Sequence, residues 1–467
     1  MNSKLRFLSL FFIGLLQLAL LFVVFNALSN QAIFEQTLGK LTDNYVRFDD
    51  ENGMQVRKEN TAYNSITENN LTTWDAAIYK AISERMYIPE EANYGRVRGA
   101  LFPLFPLLWK LSNSSIYSIS IINYLLFISG IALLIITLYH STFTNQLIAF
   151  LIAINLPSMV IYLIPYSEAL FLFTAAIGFY GIIKKVPLLY FVGFMLMAMV
   201  RPATLFVALA VVFTELCLLF YHKNVISFFK NIALKTLPFL LGYLAVILLQ
   251  YYYSGSFYTY IDAQKYWAGS IQLFSSVSDW SIEGFALSTF AIFGVCLPAA
   301  IVFLYLFFGK RTPSHQFKNN LLSSQRSYLL LISIFYLVGL LIFTLITSGG
   351  NLHSFYRFIL ASPFFYASLF LGIDYLPSKK TFKIEWSYLI CMVIMLLFLF
   401  TVEFGGTRFQ FSFVGLLLFI FLGSFLLVKN YLSTPLTIFL TALLVLFCVV
   451  WNTYLYNMYL SDGWIFT

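Results

Sequence analysis

Asp75 stands in the segment Thr72-Thr73-Trp74-Asp75-Ala76-Ala77-Ile78-Tyr79-Lys80-Ala81-Ile82-Ser83-Glu84-Arg85-Met86-Tyr87, where apolar residues recur at 74, 78, 82 and 86. That spacing predicts a short amphipathic helix in a membrane interface, with Trp74 and Met86 at the headgroup boundary and Lys80, Ser83 and Glu84 toward water. A carboxylate in its first turn has two readings. Thr72-x-x-Asp75 matches a capping box, and acids suit helix N-termini; alternatively, Asp75 is a base placed close to the lipid surface. Asp49-Asp50-Glu51 offers hard oxygens to a divalent metal, or a solvated turn before Asn52-Gly53. Arg96 and Arg98 precede the aromatic and proline-rich run Leu101-Phe102-Pro103-Leu104-Phe105-Pro106 and suit either a phosphate or lipid headgroups.

Three further polar positions interrupt apolar sequence: Pro165-Tyr166-Ser167-Glu168, Arg201-Pro202, and His353-Ser354-Phe355-Tyr356-Arg357. An ionisable group at membrane depth costs about 2.5 to 3.5 kcal/mol when central, so such groups tend to face a cavity or a partner. Taken singly, each could be an isolated side chain snorkelling to the interface. Threaded as below, all three fall at the same end of their helices. A cavity there would hold Asp75, Glu168, Arg201, His353 and Arg357.

The elements that must position these groups are membrane helices. Of 467 residues, 60% are hydrophobic and 10% charged, against about 25% charged in ordinary soluble domains. Of the 48 charges, 20 fall between Gln31 and Lys110, and much of the remainder comes as apolar runs near bilayer-spanning length. The expectation is an all-α polytopic membrane protein with about thirteen transmembrane helices, which excludes a soluble enzyme, a nucleic-acid binder and a β-barrel. The +8 net charge then reports topology. An uncleaved first helix from a cytoplasmic N-terminus, followed by strict alternation, puts the Lys and Arg clusters near 184, 223–235, 309–326 and 379–383 inside and the acid-rich loop outside. Residues 1–28 hold the first helix, 29–115 a large extracytoplasmic loop with interfacial amphipathic helices, 116–375 a bundle with an outer-face cavity, and 376–467 the C-terminal helices. Predicted spans include Gln146–Ile164, Glu168–Ile183, Leu188–Val200, Phe285–Phe308, Phe358–Tyr375 and Pro435–Trp451. Cys217, Cys296, Cys391 and Cys448 sit in separate apolar runs and read as packing residues.

Trp74-Asp75 with Tyr79 and Ile82 resembles the Trp-Asp segment in the first lumenal loop of the PIG-V family, the second mannosyltransferase of GPI-anchor assembly, and its bacterial relatives. Tyr87 and Tyr94 before Leu101–Pro106, the segment Pro165–Phe171, Arg201, and Arg357-Phe358 through Pro363 resemble that family's later motifs in the same order, over roughly residues 70–365. Two departures are the extra stretch Gln31–Leu71 and Arg201-Pro202-Ala203-Thr204, which lacks the Ser-Asn-Gly of eukaryotic members. The resemblance implies a C-type glycosyltransferase fold and transfer of a sugar, mannose by analogy, from a polyprenyl (dolichyl-type) phosphate to a glycan, glycolipid or protein acceptor. It implies Asp75 as base and inversion at the anomeric carbon. Substrate contacts would come from Trp74, Tyr79, Arg96, Arg98, Tyr166, Glu168, Arg201, His353 and Arg357. No metal is obligatory, because the leaving group is a monophosphate, and no nucleic-acid partner is expected. The Lys, Ile, Phe and Asn bias suggests a prokaryotic plasma membrane with the site outside; in an endoplasmic reticulum, Asn70-Leu71-Thr72 and Asn113-Ser114-Ser115 would be glycosylation acceptors. The competing class is a lipid or lipid-linked-sugar transporter, against which the absence of a visible internal repeat counts. A third reading is a non-catalytic relative that only binds polyprenyl carriers.

Overall fold

The computed structural model describes residues 2–28, 46–48, 55–57, 65–88, 97–267, 290–308, 324–347, 355–375, 388–395, 418, 420–424 and 433–460. With no water to satisfy backbone groups in a bilayer, apolar runs close their own hydrogen bonds and become helices. In chain order these are α1 (Ser3–Leu28), α2 (Glu68–Leu71), α3 (Asp75–Arg85), α4 (Leu104–Ser112), α5 (Ile116–Leu138), α6 (Phe143–Asn155), α7 (Glu168–Lys184) and α8 (Pro187–Val200). They continue as α9 (Thr204–His222), α10 (Val225–Ser254), α11 (Thr259–Trp267), α12 (Leu297–Phe308), α13 (Gln325–Thr347), α14 (Phe355–Leu360), α15 (Pro363–Tyr375) and α16 (Thr434–Leu460). Among the described residues, five segments are long and apolar enough to cross a bilayer: Ser3–Leu28, Ile116–Leu138, Val225–Ser254, Gln325–Ile346 and Thr434–Leu460. The chain is therefore an α-helical membrane protein. Within the first loop, β1 (Val46–Phe48) and β2 (Gln55–Arg57) form a short antiparallel pair with Val46 opposite Arg57; the acidic triplet between them lies outside the described residues.

Helix α7 is central, packed against α5 on one side and α8 on the other, while α8 leans on α10 and α9 joins α13. The α7–α8 approach depends on glycine: a Cβ at Gly193 would lie 2.4 Å from the Gly178 nitrogen, and one at Gly181 would lie 2.3 Å from the Tyr190 nitrogen. Small residues at such a crossing let two backbones meet without side chains between them. Helix starts are set locally, by Ser115, Thr142 and Asn224 accepting from the backbone N–H three residues on.

Several predicted spans end elsewhere, for physical reasons. Gln146–Ile164 is two pieces, because Pro157 holds Leu156 in an extended conformation (φ −58, ψ 151) and the chain continues as a 3-10 turn, Pro157–Tyr162. Phe358–Tyr375 divides before Pro363 for the same reason, giving α14 and α15. The described part of Phe285–Phe308 opens with a π-helical turn, Ala291–Cys296, before α12. The last span runs past Trp451 to Leu460, and residues 451–460 are all buried. Its Asn and Tyr residues are polar by sequence but find partners inside the protein.

Polar side chains collect at two ends of the bundle. At one, Arg6 donates to Ser141 O and Gln146 Oε1, and Arg326 pairs with Asp374 at 2.7 Å and contacts His140. Burial and the Arg326 charge hold the His140 imidazole below its usual value. At the other end lie the N-terminus of α7, the C-terminus of α8, and the start of α14.

Candidate functional site

The segment before α3 is built to turn. Thr72 closes α2 by donating its hydroxyl to Glu68 O at 2.7 Å, and Trp74 takes a left-handed φ of 52. For a bulky residue such a conformation costs about 1 to 3 kcal/mol and persists only where the surroundings hold it. Part of what holds it comes from the far end of the chain: the Tyr459 hydroxyl on α16 lies 3.0 Å from Leu71 O and 3.3 Å from Thr73 O. Asp75 is then the first residue of α3, but the capping box is not formed. The N-cap is Trp74, without a side-chain capping bond, and Thr72 caps the preceding helix instead.

Helix α3 is also less of a surface helix than its spacing predicts. Ile78, Ile82, Met86 and Tyr87 pack with Leu107, Leu249 and Tyr253, and Ser83 is buried with its hydroxyl donating to Lys80 O. The expected placement of Met86 among headgroups and Ser83 in water is thus overturned. A helix packed against α4 buries two faces, while Lys80 and Glu84 keep the outward one. Tyr79 anchors the inner face, its hydroxyl 2.7 Å from Ser167 Oγ and its ring edge-on to Phe105 at 5.1 Å. Burial pushes the Tyr79 hydroxyl well above its usual pKa, so it stays neutral.

Glu168 opens α7 after a turn fixed by Asn123, whose amide donates to Ile164 O at 2.8 Å and Tyr166 O at 2.7 Å. Glu168 Oε1 accepts Arg357 Nε at 2.6 Å and lies 2.5 Å from Arg201 NH1. Arg357 NH2 donates in turn to Asp75 Oδ2 at 2.9 Å, and the guanidinium stacks over Tyr166, 4.8 Å from its ring centroid. Arg201 lies 5.8 Å from the Phe358 ring centroid, at a Pro202 turn whose carbonyl accepts the Tyr243 hydroxyl. Five of the residues singled out from sequence therefore converge directly: Asp75, Tyr166, Glu168, Arg201 and Arg357. Tyr79 reaches them through Ser167, and Trp74 supplies the turn.

Arg98 is buried in a separate 3-10 turn, Arg98–Ala100, packed on α11 with Gly99 O accepting from Gln250. Arg96 and His353 lie outside the described residues. Sequence reasoning missed Asn123 and Tyr459; a lone Asn inside the apolar run 116–139 was the available signal for the first.

The two carboxylates and two guanidiniums balance in charge, yet they are not equivalent. Glu168 is 2% exposed; Oε1 serves both arginines, and Oε2 is buried without a hydrogen bond. Asp75 is 8% exposed, and among the described residues only its Oδ2 is engaged. Arg201 forms its ion pair through NH1, leaving Nε and NH2 without an ionic partner among the described residues. Among the described residues, the cluster thus keeps one carboxylate oxygen and part of one guanidinium fork outside its own ion pairs. That pairing suits proton removal beside a phosphate. No family model, curated protein or solved structure matches the chain.

Proposed function

We propose that the protein is an integral-membrane glycosyltransferase that uses a polyprenyl-phosphate sugar, of the C-type fold with about thirteen spans, working on the outer face of a plasma membrane. The observation that carries this reading is Asp75 held by Arg357 with its other oxygen unengaged among the described residues, in one network with Arg201. The order of motifs that resembles the PIG-V family supports the same reading, with mannose as the sugar to test first.

In the proposed reaction, the acceptor hydroxyl gives its proton to Asp75 Oδ1 as its oxygen attacks the anomeric carbon. The bond from that carbon to the phosphate oxygen breaks, and polyprenyl phosphate leaves with the electron pair. One displacement inverts the anomeric centre. The leaving group needs positive charge rather than a proton, which Arg201 and Arg357 provide. Glu168 orients both guanidiniums and is itself too buried to meet an acceptor. Tyr79 and Tyr166 form the aromatic wall around them.

The test is incubation of the purified protein with labelled polyprenyl-phosphate mannose, and then the glucose and galactose analogues, with a panel of glycan, glycolipid and peptide acceptors. Label transferred to an acceptor supports the reading. Label that only crosses the bilayer in proteoliposomes, with no new glycosidic bond, would make the protein a carrier of lipid-linked sugar.

A further inference from the structure

Eleven residues along α9 from the Arg201 end, about 16 Å by helical rise, a second buried carboxylate faces a separate cavity. The cavity holds about 350 Å³ between α9 and the first turns of α10 and α13. Glu215 in its wall is 2% exposed, and both of its oxygens are taken: Oε1 by Lys235 Nζ at 2.5 Å and Oε2 by Asn231 Nδ2 at 3.1 Å. Glu215 is thus held by two donors, and further donors remain in the wall. Lys235, 4.0 Å from the Tyr328 ring centroid, gives one of its three N–H groups to Glu215. Asn224 spends its Oδ1 on the backbone of Ser227, which leaves its amide N–H groups. The Tyr328 hydroxyl is buried in the cavity wall beside Glu215, with no partner within 3.5 Å.

A phosphate, which only accepts, suits the donors that this lining offers. Around it the surface is apolar and open, with Phe220 76%, Ile226 84% and Phe229 65% exposed, as expected of side chains that meet acyl chains. We infer that the cavity is a binding site for a membrane lipid with a phosphodiester headgroup. The phosphate takes hydrogen bonds from Lys235, Tyr328 and Asn224, and the acyl chains lie along Phe220, Ile226 and Phe229. This site is distinct from the Asp75 cluster and independent of the reaction proposed there.

Native mass spectrometry of the full-length, delipidated protein tests it by titration with phosphatidylglycerol, with diacylglycerol of the same chains, and with inorganic phosphate. Tyr328→Phe removes one hydroxyl beside Glu215 and keeps the ring against Lys235. Glu215→Gln/Lys235→Met removes both charges together, leaving neither buried alone. Melting temperatures confirm that each variant is folded. The expected result is one phosphatidylglycerol bound per chain, weakened about tenfold in Tyr328→Phe and further in the double variant, the effect of losing charge-assisted hydrogen bonds. Diacylglycerol bound as tightly as phosphatidylglycerol would reduce the site to apolar contact. Inorganic phosphate bound as tightly would make it a free-anion site, and unchanged affinity in both variants would move lipid binding elsewhere; each overturns the inference.

Discussion

Arg201 and Arg357 carry the network, and their planar forks are what a lysine cannot copy. In Arg201→Lys and Arg357→Lys the charge survives but one directed hydrogen bond to phosphate is lost, so turnover should fall about 10- to 100-fold. Initial rates at varied donor concentration check this; two variants with parental rates would make the arginines structural. Glu168 behaves differently because it is buried between two cations. Glu168→Gln leaves an excess positive charge inside the protein and should cost about 3 to 5 kcal/mol of stability. The double change Glu168→Gln/Arg201→Gln restores the balance and should melt higher than Glu168→Gln alone. A double variant that melts no higher than Glu168→Gln would mean that charge balance is not what Glu168 contributes to the fold. The role of Asp75 was only half legible at this scale. Its neighbour Thr72 imitates a capping box, whereas its actual partner Arg357 lies 282 residues away, a distance that no local spacing encodes.

Helices were legible where apolar runs were uninterrupted and less so where backbone chemistry intervened. Ile116–Leu138 and Pro187–Val200 agree with their runs to within a residue. Pro157 and Pro363 broke two predicted spans because hydropathy alone does not register a missing N–H. The predicted span stops at Trp451, where Asn452, Tyr454, Asn457 and Tyr459 interrupt the apolar run, yet all four are buried. One of them reaches the site: Tyr459 holds the two carbonyls before the Trp74 turn. Tyr459→Phe keeps the ring against Tyr166 and removes only the tether. Sugar transfer should then fall about 3- to 10-fold, the effect of one neutral hydrogen bond, with little change in helical content by circular dichroism. An unchanged rate would mean that packing alone fixes the turn.

The whole molecule separates two polar ends, and the Lys and Arg asymmetry is the ground for proposing that the Asp75 end faces outside. An engineered cysteine at Gly53 should be labelled in intact cells by a membrane-impermeant reagent, and one at Ser314 should not; the reverse pattern would invert the topology. Within that frame the central claim is that Asp75 takes a proton, and Asp75→Asn tests it most directly. The amide keeps the shape of the carboxylate and can still accept from Arg357, but it cannot act as a base. Parent, Asp75→Asn and Asp49→Asn proteins are compared in detergent for sugar transfer, with a melting curve for each. Asp75→Asn is expected to stay folded and to lose about 10² to 10⁴-fold in rate, while Asp49→Asn transfers sugar normally. A folded Asp75→Asn protein that keeps more than about a tenth of the parental rate would contradict the claim, and a selective loss in Asp49→Asn would move the chemistry to the acidic triplet.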